Sequence, residues 1–138
     1  MSVNPFVDTD VIIRLLTGDD VQKQDKAASL FKQVESGGLI LEAPDTVIAD
    51  AVYVLASKVL YAKPRTEIQE LLTPLVRLAG FKVSNKRVLL RALELYGTTN
   101  RGFGDAMLIA GLEQRGSHDL YSYDRGFDDV PGVNRVEP

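Results

Sequence analysis

Cysteine is absent from this chain of 138 residues, and histidine occurs only once. Without cysteine there is no disulfide framework, no thiolate zinc site and no cysteine nucleophile. A single imidazole also leaves very little room for catalytic or metal sites that are built on histidine. The 19 aspartates and glutamates are the side chains that remain for catalysis or metal binding.

An excess of positive charge and long apolar runs are absent as well. Lysine and arginine number 16, which gives a formal net charge of −3. Bulk electrostatics therefore give no reason to bind a polyanion, and any contact with a nucleic acid must be local. No stretch approaches the roughly 18 apolar residues of a membrane span, and the amino-terminal segment MSVNPFVDTD lacks the features of a signal peptide. We expect a cytoplasmic protein that makes no membrane contact.

Predicted strands and helices alternate along the chain. The run 3–8 predicts a short buried strand that passes directly into a short helix, with the junction at Asp8 to Asp10. Helical spacing of apolar residues predicts a second helix from Val21 until Gly37 and Gly38 end it. The later predicted elements are a strand over 39–43, a helix from an Asp45 N-cap to Ser57, a helix over 63–79 that Pro74 kinks or divides, a strand over 81–83, a helix over 84–96 capped by Ser84 or Asn85, a helix over 104–115 ended by Gly116, a strand over 119–123 and an extended piece over 133–136.

This alternation predicts an α/β fold with a parallel sheet and helices on both of its faces. Apolar residues make up 45% of the chain and charged residues 25%, which is typical of globular proteins. No linker, repeat or low-complexity segment divides the sequence. We therefore expect residues 1–138 to form a single domain.

Four aspartates interrupt apolar segments, where an ionised carboxylate is costly unless it is paired or binds a metal. They are Asp8, Asp50, Asp105 and Asp124. Asp8 and Asp124 end two predicted strands and Asp105 starts a helix, so all three can face the crevice at the carboxyl ends of a parallel sheet. Gathered carboxylates repel one another unless a divalent cation compensates their charge. Oxygen ligands alone favour Mg²⁺ or Mn²⁺ over zinc.

Simpler roles exist for three of these residues. Asp8 can cap the helix that follows it, Asp105 can interact with a helix dipole, and Asp124 can form a turn in YDRGF. Asp50, in the middle of a helix, has the weakest alternative explanation unless its helix face is exposed. Each residue alone is a weak indication, and the four together carry the metal-site hypothesis.

The segments around these aspartates resemble the acidic motifs of the PIN-domain ribonucleases, most closely the toxins of VapBC-type toxin–antitoxin pairs. The matching segments are FVDTDVIIRLL, VIADAVYVLASK, GDAMLIAG and LYSYDRGFDDVPGV, in the family's order and spacing. The resemblance implies a three-layer α/β/α fold with a central, mainly parallel sheet. It also implies hydrolysis of single-stranded RNA with Mg²⁺ or Mn²⁺, a homodimer and a cognate antitoxin protein.

Carried over residue by residue, the resemblance assigns catalytic and metal-binding roles to Asp8, Asp50, Asp105 and Asp124. Ser122 matches the serine or threonine beside the last acid of the family. Two positions depart from the pattern. Most relatives have glutamate at the position of Asp50. The aspartate side chain is one methylene shorter, so we expect either a bridging water between carboxylate and metal or a lower activity. Many relatives have asparagine in place of Asp10, which we expect to position Asp8.

Cations near the acidic motifs are the candidates for binding RNA phosphates. They are Arg14, Lys58, Arg101 and Arg125.

Two other functions remain open. The segment FVDTDV also fits the first motif of haloacid-dehalogenase-type phosphatases, with Asp8 as nucleophile and Asp10 as general acid. The chain is short for that fold, and GDAMLIAG lacks the second acid expected there. Alternatively, the chain is a PIN-like domain in which the shorter side chain of Asp50 prevents tight metal binding, and it functions as a non-catalytic binding module for protein or RNA.

Overall fold

The computed structural model describes residues 3–138, which form α-helices and short parallel strands. The helices are α1 (Thr9–Leu16), α2 (Val21–Glu35), α3 (Asp45–Ala56), α4 (Arg65–Arg77), α5 (Lys86–Thr98) and α6 (Phe103–Arg115). The strands are β1 (Leu41–Ala43), β2 (Phe81–Val83), β3 (Asp119–Tyr121) and β4 (Asn134–Val136), with a 3-10 helix at Arg125–Asp129 between the last two. The predicted α/β class and most element positions are confirmed.

The strand predicted over 3–8 is reduced to a single parallel bridge between Phe6 and Glu42. The Val7 amide donates to the Glu42 carbonyl at 3.0 Å, and the Glu42 amide donates to the Pro5 carbonyl at 2.9 Å. Proline has no amide hydrogen, so the ladder cannot continue through Pro5 as donor. The segment before α1 therefore lies beside β1 and ends where α1 begins.

The remaining strands pair in parallel, as the alternating pattern predicts. β1 pairs with β2, with Leu41 opposite Phe81, and β3 pairs with β4, with Leu120 opposite Arg135. Over the described residues these ladders form two two-stranded sheets. Parallel pairing brings the loop after β1 and the loop after β2 to the same edge of their sheet.

That proximity changes the predicted helix caps. Asp45 is the first residue of α3 and does not cap it; its amide donates to the Ser84 hydroxyl at 2.8 Å. The Asp45 carboxylate in turn accepts from Asn85 Nδ2 at 2.8 Å. Asn85 stands at the start of α5 with a left-handed φ of 55° and makes no side-chain cap bond there. Asn85 thus holds the predicted N-cap position of α5, whereas the predicted Asp45 cap was wrong, because the polar groups of the two adjacent loops bond to each other.

Pro74 does not divide α4, which runs as one helix. Its buried residues lie on both sides of the proline: Ile68 and Leu72 before it, Leu75 and Val76 after it. Burial of such side chains contributes about 1.5–3 kcal/mol each, comparable to the roughly 3 kcal/mol cost of a proline in a helix interior. The apolar face therefore keeps the helix continuous.

The main core is built from α1 to α6 together with β1 and β2. A smaller apolar cluster lies under the 3-10 helix and joins Ile109 of α6, Leu120 of β3, Phe127 and Val130. This cluster anchors the segment that follows Asp124. No helix within residues 3–138 has both the length and the apolarity to cross a membrane.

Candidate active-site cleft

A cleft of about 480 Å³ opens between the start of α1 and the exposed face of α3. We call it the acidic cleft. Its lining residues are Asp8, Thr9, Asp10, Ile13, Arg14, Asp50, Tyr53, Val54 and Tyr61. Three of the predicted acids, from two separate elements, thus face one space.

Asp8 precedes α1 and caps it, since Asp8 Oδ1 accepts from the Thr9 amide at 2.7 Å. The Thr9 hydroxyl donates to the Val47 carbonyl at 3.1 Å, in the first turn of α3. Asp50 follows Val47 by three residues, about one helical turn. The capping role and the cleft position of Asp8 are compatible, and one side-chain bond links the two elements that carry Asp8 and Asp50.

Asp50 lies on the exposed side of α3, whose opposite side is buried. Asp8, Asp10 and Asp124 are exposed too, while Asp105 is half-buried. The expectation of apolar surroundings was wrong for Asp8, Asp50 and Asp124, whose side chains are exposed. Beside Asp50 the apolar residues Ala51 and Val52 turn inward, whereas the tyrosines near Asp124 are exposed as well. The ion pairs found across residues 3–138 involve none of the five. Their charges are therefore free to meet a ligand.

Asp105 and Asp124 do not line the acidic cleft. Asp105 is the third residue of α6. Asp124 follows β3, and its Oδ1 accepts from the Gly126 amide at 2.8 Å, while the Asp124 amide donates to the Ser122 hydroxyl at 3.0 Å. In the part of the chain that the structure describes, no three His, Cys, Asp or Glu residues are grouped to hold a metal ion. The convergence of Asp105 and Asp124 with Asp8 and Asp50 stays a prediction.

Arg14 is the only predicted RNA-binding cation that lines the acidic cleft. It pairs with Asp19 at 3.2 Å. Asp19 also accepts from the Tyr61 hydroxyl at 2.7 Å and from the Thr17 hydroxyl at 3.0 Å. The hydrogen bond from Tyr61, followed by those from Thr17 and the charge of Arg14, holds the pKa of Asp19 below its usual value. Asp19 thus fixes two residues of the cleft wall, Arg14 and Tyr61.

The other predicted cations lie elsewhere. Lys58 follows α3 and Arg125 begins the 3-10 helix, and both are exposed. Arg101 precedes α6, and its Nη1 donates to the Gly126 carbonyl at 2.9 Å. Its guanidinium also lies 6.0 Å from the centre of the Phe127 ring. Arg101 therefore connects the segment before Asp105 to the segment after Asp124.

Arg65, which the sequence analysis did not predict as a site residue, also binds the connector between α5 and α6 (residues 99–102). Its Nη1 donates to the carbonyls of Arg101 at 2.6 Å and Tyr96 at 3.1 Å, and its Nη2 donates to Asn100 at 3.1 Å. The guanidinium stacks over the Tyr96 ring, 4.3 Å from its centre. No sequence signal marks Arg65, because its hydrogen-bond partners are backbone carbonyls, which every residue carries.

Tyr53 and Thr9 also line the acidic cleft, and the sequence analysis predicted neither as a site residue. For Tyr53, helical spacing from Asp50 could have indicated this position. Tyr53 follows Asp50 by three residues, so the two side chains share a helix face.

Comparison with known proteins identifies the family. The model of the PIN domain family matches residues 6–133, and the chain belongs to that family. Among solved structures, the Mycobacterium tuberculosis toxin VapC20, described as cleaving the sarcin-ricin loop, is 16% identical to this chain. That match covers 98% of this chain and 100% of the other, with a TM-score of 0.41. No curated protein matches this sequence. The family membership supports the nuclease hypothesis and gives no support to the haloacid-dehalogenase alternative.

Proposed function

We propose that this chain is a metal-dependent endoribonuclease that cleaves single-stranded RNA and acts as the toxin of a toxin–antitoxin pair. The observation that carries the proposal is the joint position of Asp8 and Asp50, which come from separate elements and face one cleft, with no ion-pair partner among residues 3–138. Membership in the PIN domain family supports the same reaction class.

The donor chemistry of the acidic cleft fits Mg²⁺ or Mn²⁺. Asp8 and Asp50 would hold the ion, with Asp10 beside them. Mg²⁺ usually binds proteins through one or two carboxylates, keeps several waters and shares its remaining positions with substrate phosphates. Two carboxylates are therefore enough for this ion, whereas a closed zinc site requires about four protein ligands.

When bound, the ion supplies Lewis-acid activation of water and of the phosphodiester. The chain's own residues position the reacting groups. The Thr9 amide orients the Asp8 carboxylate, and the Thr9 hydroxyl fixes its distance from α3. Arg14 places a positive charge on the cleft wall, where it can neutralise an RNA phosphate. His118 does not line the acidic cleft, and its ring nitrogen Nδ1 lies 2.9 Å from the Gly132 carbonyl oxygen.

Asp105 and Asp124 also have catalytic, metal-binding roles in this proposal, as the family motifs imply. Ser122 supports Asp124 through the hydrogen bond to its amide. Arg101 connects the segments that carry the two acids. Lys58 and Arg125 are left as exposed cations for RNA phosphates outside the cleft. A cognate antitoxin, a homodimer and a cytoplasmic location complete the proposal.

RNA cleavage by the purified chain tests this function. The assay compares Mg²⁺, Mn²⁺ and EDTA, with Asp8→Asn and Asp50→Asn as variants. The control is Asp25→Asn on the exposed side of α2, outside the acidic cleft. We expect a metal-dependent rate that both cleft variants lower by about a hundredfold or more and that the control retains. Wild-type rates in both cleft variants would contradict the proposal.

One observation favours the alternative of a non-catalytic binding module, namely that no three potential ligands are grouped within residues 3–138. Titration calorimetry with Mn²⁺ separates the two functions. A nuclease binds the ion with measurable heat, whereas negligible heat at millimolar Mn²⁺ together with intact RNA binding would support the module.

A further inference from the structure

We propose that Tyr53 and the cavity behind it form a subsite for one unpaired nucleobase, next to the acidic cleft. This inference rests on the proposed function, since it takes single-stranded RNA as the ligand. It goes beyond the proposed function by specifying the place where a base next to the reacting phosphate binds and the side chain that contacts this base.

Tyr53 is an aromatic side chain that the fold leaves uncovered. It is 78% exposed, although five other residues of α3 are buried. It therefore contributes little to the core. Its spacing from Asp50 places the ring one helical turn from a carboxylate of the acidic cleft.

Tyr53 lines two cavities at once. One is the acidic cleft, and the other is a cavity of about 450 Å³ between α3 and the start of α6, which we call the Tyr53 cavity. Both linings include Tyr53, so a ligand that occupies both cavities contacts its side chain. Single-stranded RNA carries both kinds of group, since each nucleotide has a charged phosphate in the backbone and a flat base attached to its ribose.

The walls of the Tyr53 cavity suit a base better than a phosphate. Apolar side chains of α3 and α6 line it, among them Val52 and Met107, and no carboxylate of the described residues does. Within residues 3–138, Arg65 is the one charged residue of the lining, and it already donates to three backbone carbonyls. Ligand sites of this size are typically apolar with few polar groups, and an uncharged planar heterocycle meets that description.

Two glycines at the start of α6 belong to the lining of the Tyr53 cavity. Gly102 and Gly104 line it, and a Cβ atom added at either would meet no heavy atom within 4 Å. A larger side chain at position 104 would therefore occupy free space without moving the backbone. Gly104→Leu therefore adds volume at the lining of the cavity without substituting Tyr53 or any of the acids.

The experiment measures binding of a short fluorescein-labelled single-stranded RNA by anisotropy in EDTA, so that no cleavage occurs. Stacking of one base on an aromatic side chain corresponds to about 5- to 150-fold in affinity. We expect Tyr53→Ala to weaken binding within this range and Tyr53→Phe to retain it, because stacking uses the ring. We expect Gly104→Leu to weaken binding as well. The control is Tyr121→Ala on β3, where the tyrosine is 70% exposed and lines neither cavity.

RNAs that carry one fluorescent aminopurine at successive positions provide a second measurement. One position should change its fluorescence on binding to the wild-type chain and to Tyr53→Phe, and not on binding to Tyr53→Ala. Equal affinity of wild type and Tyr53→Ala, an equal loss in Tyr121→Ala, or no RNA binding by the wild-type chain would overturn the subsite.

The outcomes distinguish this inference from the proposed function. If the wild-type chain cleaves RNA but binds it independently of Tyr53, the subsite is wrong and the nuclease stands. If RNA binding depends on Tyr53 but no metal supports cleavage, the nuclease is wrong and the base subsite stands.

Discussion

The Thr9 hydroxyl donates to the Val47 carbonyl at 3.1 Å and thereby joins the start of α1 to the first turn of α3. Asp8 directly precedes Thr9, and Asp50 lies one turn beyond Val47. The separation of two acids that are 42 positions apart in sequence thus depends on a short path through one hydrogen bond. This path explains how aspartates with exposed side chains can still have a defined relative position.

Thr9→Val should lower the rate of RNA cleavage by about tenfold, because the acids lose the bond that fixes their separation. It should also lower the free energy of unfolding by about 1 kcal/mol, the typical net value of one hydrogen bond. Cleavage rates and urea denaturation measure the two effects. Thr9→Ser, which keeps the hydroxyl, should restore both, and Thr46→Val on the exposed side of α3 should change neither. An unaltered cleavage rate in Thr9→Val would show that this bond does not position the acids.

Asp19→Asn should reduce stability in a pH-dependent way. The hydrogen bond from Tyr61 is the largest cause of the lowered pKa of Asp19 in the folded chain, followed by the bond from Thr17, with the charge of Arg14 also contributing. A lowered folded-state pKa means that the ionised group stabilises the fold above its unfolded-state pKa. That contribution disappears as the pH falls through the folded-state value.

Urea denaturation at several pH values tests this sign. The wild-type chain should be more stable than Asp19→Asn at neutral pH, and the difference should shrink as the medium becomes more acidic than about pH 4. Added salt should weaken only the part that comes from Arg14. A difference that grows with acidity would contradict the assignment.

Arg65→Lys should lower the free energy of unfolding by about 2 kcal/mol. Its planar guanidinium reaches three carbonyls and the Tyr96 ring together, which a lysine ammonium cannot do. Hydrogen bonds to charged groups contribute about 1.5–3 kcal/mol each, and lysine retains part of that value. Thermal and urea denaturation measure the change.

Arg77→Lys at the exposed end of α4 is the matched control and should be neutral. Because Arg65 holds the connector before α6, Arg65→Lys should also lower RNA cleavage if Asp105 takes part in it. Full stability in Arg65→Lys would show that the three carbonyl contacts contribute little.

Features that depend on local periodicity could be predicted from the sequence. The apolar spacing from Val21 gives α2, and the glycine at position 116 ends α6 with a left-handed φ of 64°. The resemblance of the acidic segments to the PIN-domain ribonucleases is confirmed as family membership by the match over residues 6–133.

Features that depend on neighbouring loops or on backbone partners could not be predicted. Asp45, Ser84 and Asn85 each have a preference for helix starts, and only the parallel pairing of β1 with β2 reveals that they bond to one another. The exposure of Asp50 could not be predicted from the sequence for a similar reason. An apolar helical segment does not say which of its faces will lack a packing partner.

Mn²⁺ titration followed by electron paramagnetic resonance of the free ion tests the central claim, that Asp8 and Asp50 hold one metal ion together. The wild-type chain and Asp25→Asn should bind Mn²⁺ equally, and Asp8→Asn and Asp50→Asn should each weaken binding by about tenfold or more. In the double variant the loss of Mn²⁺-binding free energy should be smaller than the sum of the two single losses, because both positions bind the same ion. Wild-type Mn²⁺ affinity in both single variants would contradict the account.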